Sequence, residues 1–170
     1  MKTSKEHSNK ALISITDGKK QGEIKDLYLD QDMRQVAGVL LGKEGLISRK
    51  SLMIARSAIQ VYGIDVWLVS GSDKVVKQDD IPESATFTLV GDLRGREIQT
   101  EGGTKLGVIE DVILNDEAHV LGFTLGKVYV QGPLAERKTI AREAVSNLGS
   151  KKEPMTIILA QAESLVLPPA

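Results

Sequence analysis

Residues 18–29 read Gly18-Lys19-Lys20-Gln21-Gly22-Glu23-Ile24-Lys25-Asp26-Leu27-Tyr28-Leu29. Residues 103–114 read Gly103-Thr104-Lys105-Leu106-Gly107-Val108-Ile109-Glu110-Asp111-Val112-Ile113-Leu114. Both obey Gly-x-Lys-x-Gly-x-Ile-x-Asp-x-x-Leu, and Gly22 and Gly107 stand 85 positions apart. Two more blocks follow in the same order. Val36-Ala37-Gly38-Val39-Leu40-Leu41-Gly42-Lys43 faces Val120-Leu121-Gly122-Phe123-Thr124-Leu125-Gly126-Lys127 at an offset of 84. Ile54-Ala55-Arg56-Ser57-Ala58-Ile59 faces Ile140-Ala141-Arg142-Glu143-Ala144-Val145 at an offset of 86. Three ordered blocks at a near-constant offset indicate a tandem repeat of a whole unit. The period exceeds the ~20–50 residues of solenoid repeats and suits a duplicated small domain.

The units are expected at residues 8–72 and 86–168, joined by a polar linker over 73–85 that holds the first proline, Pro82. Domains this small bury only about 60% of their unfolded surface, so the halves are expected to pack together or to dimerise. Val75, Val76 and Ile81 are candidates to bridge them.

Within each unit the signals are β. Residues 11–16 alternate well enough for a strand, and Asp17-Gly18 is a hairpin turn matched by Gly102-Gly103. In the next strand Leu27 and Leu29 share one parity while Ile24 has the other; Ile109 against Val112 and Leu114 repeats the mismatch. A parity change needs an extra residue, which predicts a β-bulge near Lys25-Asp26 and Glu110-Asp111. In 36–43 and 120–127, Ala37, Val39, Leu41, Leu121, Phe123 and Leu125 are expected to face the core. Gly38, Gly42, Gly122 and Gly126 then mark bends or close backbone approach. Ile54 onward reads as a short strand turning into a helical turn ended by Gly63, or Gly149 in the second copy. Residues 64–69 and 155–159 close the two units as β-prone runs.

These strings resemble the PRC-barrel, the β-barrel of the photosynthetic reaction centre H subunit and of the C-terminal half of the ribosome maturation factor. The likeness covers about residues 8–70 and 93–165. It implies an all-β fold of two tandem small β-barrels, each with a short helical turn. It also implies a non-enzymatic module that docks onto other macromolecules. Where the reaction-centre barrel follows a membrane helix and the ribosomal factor has a separate N-terminal domain, these residues hold a second barrel-like unit, so membrane anchoring is not expected to carry over. No site with a defined chemical role carries over.

Composition narrows the chemistry further. The 170 residues carry a net charge of −1, so no global attraction to nucleic acid or anionic lipid is evident. No cysteine is present, which excludes disulfides and thiolate chemistry. No apolar run approaches the ~18 residues of a membrane span. The polar N-terminus lacks the apolar stretch of a secretory signal, and a cytoplasmic location is expected.

The duplicated polar residues Asp26 and Asp111, and Arg56 and Arg142, are the natural site candidates. A pair of equivalent anion or partner sites is one reading. The favoured one has each aspartate capping its bulge or pairing with the arginine across the barrel. Gly102-Gly103-Thr104-Lys105 lacks the full phosphate-loop pattern and reads as a turn. His7 and His119 are isolated and read as surface histidines, and Ser48 and Lys50 have no triad around them. Asp30, Gln31, Asp32, Asp116 and Glu117 lack calcium-loop spacing and read as solvated hairpin tips. Tyr28, Tyr62, Trp67 and Tyr129 are not interleaved with a basic cluster, and Arg137-Lys138 and Lys151-Lys152 are too slight to make one, so direct nucleic-acid binding is not expected. Trp67 reads as core.

No catalytic, cofactor or metal residue is assigned, and no cofactor is implied. The expected function is a soluble adaptor or assembly module that binds a protein partner through the barrel surfaces. A photosynthetic or other membrane complex, met peripherally, is one client class, and a homodimer is a further expectation. The alternatives are a small-molecule-binding protein or enzyme using a cleft between the barrels, and a ribosome- or RNA-associated factor.

Overall fold

The computed structural model describes residues 1–42 and 51–168; Ser48 and Lys50 lie outside them. The chain begins with β1 (Lys2–Thr3) and α1 (Ser4–His7), then β2 (Ala11–Ser14), β3 (Lys20–Leu29), β4 (Val36–Leu41) and β5 (Leu52–Ala55). A 3₁₀ turn at Arg56–Ala58 leads into β6 (Ile59–Tyr62) and β7 (Val66–Val69). β8 (Val76–Lys77) and 3₁₀ turns at Gln78–Asp80 and Pro82–Thr86 follow. The second half holds β9 (Thr88–Leu89), α2 (Val90–Leu93), β10 (Glu97–Thr100), β11 (Lys105–Leu114), β12 (Val120–Val128), α3 (Pro133–Arg137) and β13 (Thr139–Ala141). After a 3₁₀ turn at Arg142–Ala144 come β14 (Val145–Asn147), β15 (Met155–Ile157) and α4 (Leu159–Ser164). From β9 on, the order of elements repeats that of β1 to β7, with α3 and α4 added.

The fold is mostly β, in two sheets. One runs β6-β7-β2-β3-β4-β5-β8, with β9 also on β3; the other runs β13-β12-β11-β10-β15-β14, with β1 also on β11. Neither strand path returns to its start. In each half, though, a three-residue 3₁₀ turn carries the chain from one side of the sheet to the strand at its far end, from β5 to β6 and from β13 to β14.

The bulges lie where strand parity changes. Register shifts between Ile24 and Asp26 and between Ile109 and Asp111, which rotates Ile24, Leu27 and Leu29, and likewise Ile109, Val112 and Leu114, all inward. A second irregularity alters the expected face of β4 and β12. Tyr28 pairs with Gly38 but Leu29 with Val36, and Ile113 pairs with Gly122 but Leu114 with Val120. The extra residue is Ala37 or Leu121, which is left half-buried while Val36 and Val120 turn into the core. Gly122 shows the expected close approach, since a Cβ there would run into the Ile140 carbonyl. The expected helical turn before Gly63 is confined to Arg56–Ala58; the chain returns to a strand, so Gly63 and Gly149 follow strands rather than cap helices.

The core is continuous across the two halves. Trp67, Leu27 and Val39 belong to the same buried cluster as Phe123, Leu106 and Ile157. Residues 73–85 join this packing: β8 pairs with β5, and Val75 lies against the core.

Candidate functional site

The halves meet by reciprocal exchange. β1, from the start of the chain, pairs with β11 of the second half, and β9, from the start of the second half, pairs with β3 of the first. Each leading segment therefore lies on the other half's long strand. The helix that follows is capped there by the bulge aspartate. Asp26 accepts from its neighbour Leu27 N at 2.8 Å and, across the seam, from Gly91 N at 3.0 Å. Asp111 accepts from Val112 N at 2.8 Å and, across the seam, from Lys5 N at 3.0 Å. The aspartates thus cap backbone, as the favoured reading expects, but half of each cap lies on the opposite unit.

Neither aspartate pairs with Arg56 or Arg142. Those arginines reach the opposite hairpin tip instead. Arg56 donates to Glu117 O at 2.7 Å, Ala118 O at 3.3 Å and, within its own half, Val36 O at 2.9 Å. Arg142 donates to Asp32 O through Nη2 at 2.6 Å and Nε at 3.1 Å. The tips are therefore not simply solvated turns, because their carbonyls are held by a guanidinium from the other half. Gln35 and His119 face each other between the halves, flanked by Val36 N donating to Ala118 O and Val120 N to Arg34 O. The whole seam has approximate two-fold symmetry.

The symmetry breaks at Asp111. Its side chain is 3% exposed, and besides its backbone donors it accepts from the Ser4 hydroxyl and pairs with Arg94 Nη2 at 3.3 Å. Val90 and Ser8 stand where Ser4 and Arg94 would be expected around Asp26. His7 also departs from expectation. It is buried, because α1 lays it against the Trp67 ring at 5.2 Å, with Lys10 Nζ 3.0 Å from Nδ1. Burial, reinforced by Lys10, pulls its pKa down to about 4. Tyr62 closes edge-on against Trp67 at 4.8 Å, and these rings leave a cavity of about 40 Å³ at the seam. His119 is a half-exposed histidine beside Glu117 at 3.7 Å. Trp67 is core, and Tyr129 is 54% exposed.

Two surface features differ between the halves. The corresponding position of the second half holds an open groove of about 520 Å³ rather than a small cavity, lined by Phe87, Leu89, Arg96 and Lys151 among others. The outer face of β2, β7 and β6 is aliphatic. Ile13 and Leu68 are paired neighbours there, as are Leu68 and Val61, while Ile15 is 54% and Val61 47% exposed. At the matching register in the second half stand Gln99, Thr156, Glu101 and Asn147. Sequence reading missed this face, because its pattern appears only when the two halves are aligned by strand pairing rather than one strand at a time.

Among the described residues, no group of three or more histidines, aspartates or glutamates is placed to hold a metal ion, and no helix is long and apolar enough to cross a membrane. A family model for the PRC-barrel domain matches residues 86–140, which run from β9 into β13. No curated protein matches the chain.

Proposed function

We propose that a chain with a PRC-barrel domain at residues 86–140 serves as a non-enzymatic protein-binding module, and that the aliphatic outer face of β2, β6 and β7 is its docking surface. The recurring element order and the reciprocal seam favour reading the first half as a second copy of the same barrel, with the 3₁₀ turns as its corners. One observation carries the functional reading. Equivalent outward positions hold Ile13, Ile15, Val61 and Leu68 in one half and Gln99, Glu101, Asn147 and Thr156 in the other. A shared fold requires neither set, so the aliphatic one answers to something outside the chain.

The occupant is a partner protein with an uncharged apolar surface, because none of these four positions carries a charge that would need a counterpart. Among the described residues β6 ends its sheet path and pairs only with β7, which leaves a strand edge beside the patch. The test copies the second half into the first: Ile13→Gln, Ile15→Glu, Val61→Asn and Leu68→Thr together. Tagged wild-type and variant chains are used to capture and cross-link partners from native soluble and membrane fractions. The reading expects a stoichiometric partner cross-linked at this face by the wild type and lost by a variant with an unchanged unfolding midpoint. Equal capture by both chains overturns it. So does a concentration-dependent wild-type dimer that the variant abolishes, which would make the occupant a second copy.

A further inference from the structure

The open groove and the small cavity of the first half overlap at equivalent positions, Thr88 with Lys2, Arg96 with Lys10, Gly149 with Gly63 and Ser150 with Ile64, so each serves as a control for the other. In the first half Lys10 sits in the wall and spends its donors internally, on His7 Nδ1 at 3.0 Å and Gly63 O at 3.3 Å. In the second half Arg96 takes the place of Lys10 and donates from Nη1 to Leu148 O at 2.8 Å. The residue matching His7 is Leu93, which is buried in the core and offers no acceptor. Arg96 is therefore half-buried with one hydrogen bond, a buried Nε without a partner, and no carboxylate within ion-pairing distance among the described residues. A partly desolvated guanidinium without a counter-charge is costly to hold, and burial alone pulls its pKa below the usual value.

The surroundings narrow what completes it. The lining is mostly polar, with one apolar patch: Phe87, whose ring lies 6.2 Å from the buried Tyr28 ring, and its near neighbour Leu89. Lys151 stands at the rim with Asp92, 3.7 Å apart, so Arg96 leaves the groove one positive charge in excess. That balance suits a monoanion better than a phosphate dianion, which would meet Asp92. One wall is β9, which among the described residues pairs only with β3 and so presents a second, unpaired edge.

We propose that this groove binds an extended polypeptide segment bearing a carboxylate next to an apolar side chain. Arg96 takes the carboxylate, Phe87 and Leu89 the apolar group, and β9 the backbone. The groove shares no residue with the aliphatic face, so this site stands or falls separately from that docking surface.

The test titrates ¹⁵N-labelled full-length protein with N-acetyl-L-phenylalanine, with its amide, and with phenyl phosphate, following backbone amide shifts. Saturable shifts centred on Thr88, Leu89, Arg96 and Ser150 are expected with the carboxylate, with at least tenfold weaker binding of the amide and of phenyl phosphate. Arg96→Leu should weaken carboxylate binding at least tenfold. Since Arg96 also anchors Leu148, the exposed rim variant Lys151→Glu is run beside it and should weaken binding severalfold with an unchanged spectrum elsewhere. Equal affinity for acid and amide, equal or tighter binding of phenyl phosphate, shifts centred elsewhere, or Lys151→Glu binding as wild type would each overturn the assignment.

Discussion

Asp111 and Asp26 occupy the same bulge in the two halves, and replacing each by alanine tests how the seam is held. Asp111 is buried and satisfies Lys5 N, Val112 N, the Ser4 hydroxyl and the Arg94 guanidinium. Removing it strands two donors of the leading segment and takes the counter-charge from the Arg94 guanidinium, 32% exposed, which keeps the Ser4 hydroxyl oxygen as acceptor at 2.9 Å. Breaking a buried pair costs about 3–5 kcal/mol, and partial access of Arg94 to water puts this case near the lower limit, about 3 kcal/mol. Asp26 satisfies two backbone amides and no cation, so its loss resembles that of a helix cap, about 1 kcal/mol. At roughly 2–4 °C per kcal/mol for a chain of this size, Asp111→Ala should lower Tm by about 6–12 °C and Asp26→Ala by about 2–4 °C. Urea unfolding followed by Trp67 fluorescence gives the free energies, since Trp67 is the sole tryptophan and fully buried. Ser4→Ala should cost less on top of Asp111→Ala than it does alone, because both changes dismantle one network and only the Arg94 bond to the Ser4 hydroxyl oxygen is left for it to remove. Equal losses for the two aspartates to within about 0.5 kcal/mol, or full additivity of the Ser4 change, would refute this account of the seam.

Three further outcomes follow from the same contacts. His7 has a folded pKa near 4 against an ordinary 6.5, so the unfolded chain binds more protons between those values. The stability it contributes is complete above pH 6.5 and is lost as pH falls toward 4, by up to about 3 kcal/mol. His7→Leu, which copies Leu93, should remove that part of the pH dependence in urea midpoints measured at pH 7 and pH 4.5; parallel wild-type and variant profiles would contradict it. Gly122→Ala should destabilise by several kcal/mol, because the added methyl meets the Ile140 carbonyl, whereas Gly126→Ala meets only Glu110 Cβ at 3.6 Å and should be close to neutral by thermal melt. Arg142→Met should cost about 2 kcal/mol in denaturant, since it removes two charge-assisted donors to Asp32 O and leaves that carbonyl unpaired across the seam; an unchanged midpoint would show that the contact contributes nothing.

What the sequence discloses of this molecule is what one strand dictates by itself. Ile24 and Leu27 cannot both point inward without an extra residue, so the bulge at Lys25 is written in the spacing. The second bulge is not, because Ala37 is as apolar as Val36 and only pairing with Leu29 decides which one turns inward. His7 reads as a surface residue because its burial depends on Trp67, 60 positions away in the chain. Met33 and Ala118 hold left-handed backbone at the two hairpin tips, φ 50° and 58°, although neither residue type signals it. Both are buried at the seam, so contacts with the opposite half hold a conformation that local preference resists. The duplicated Asp and Arg are visible as candidates, and the bulge caps expected of the aspartates are present, but the expected Asp–Arg pairs are not: each aspartate and each arginine reaches backbone of the other half.

That exchange explains why the repeat keeps what it keeps. Contacts made on the opposite half require the aspartate and the arginine in both halves, since losing either weakens one side of a reciprocal contact. The outward faces have no such tie, and there the halves differ: aliphatic against polar on the outer sheet, an aromatic plug against an open groove at the matching cleft. A fold whose two halves hold each other at the seam is free to give them separate surfaces. Grafting His7 and Lys10 into the second half, as Leu93→His with Arg96→Lys, should then satisfy the cation internally and weaken carboxylate binding at the groove, while leaving capture through the aliphatic face intact. Loss of both together would mean that the two surfaces act as one.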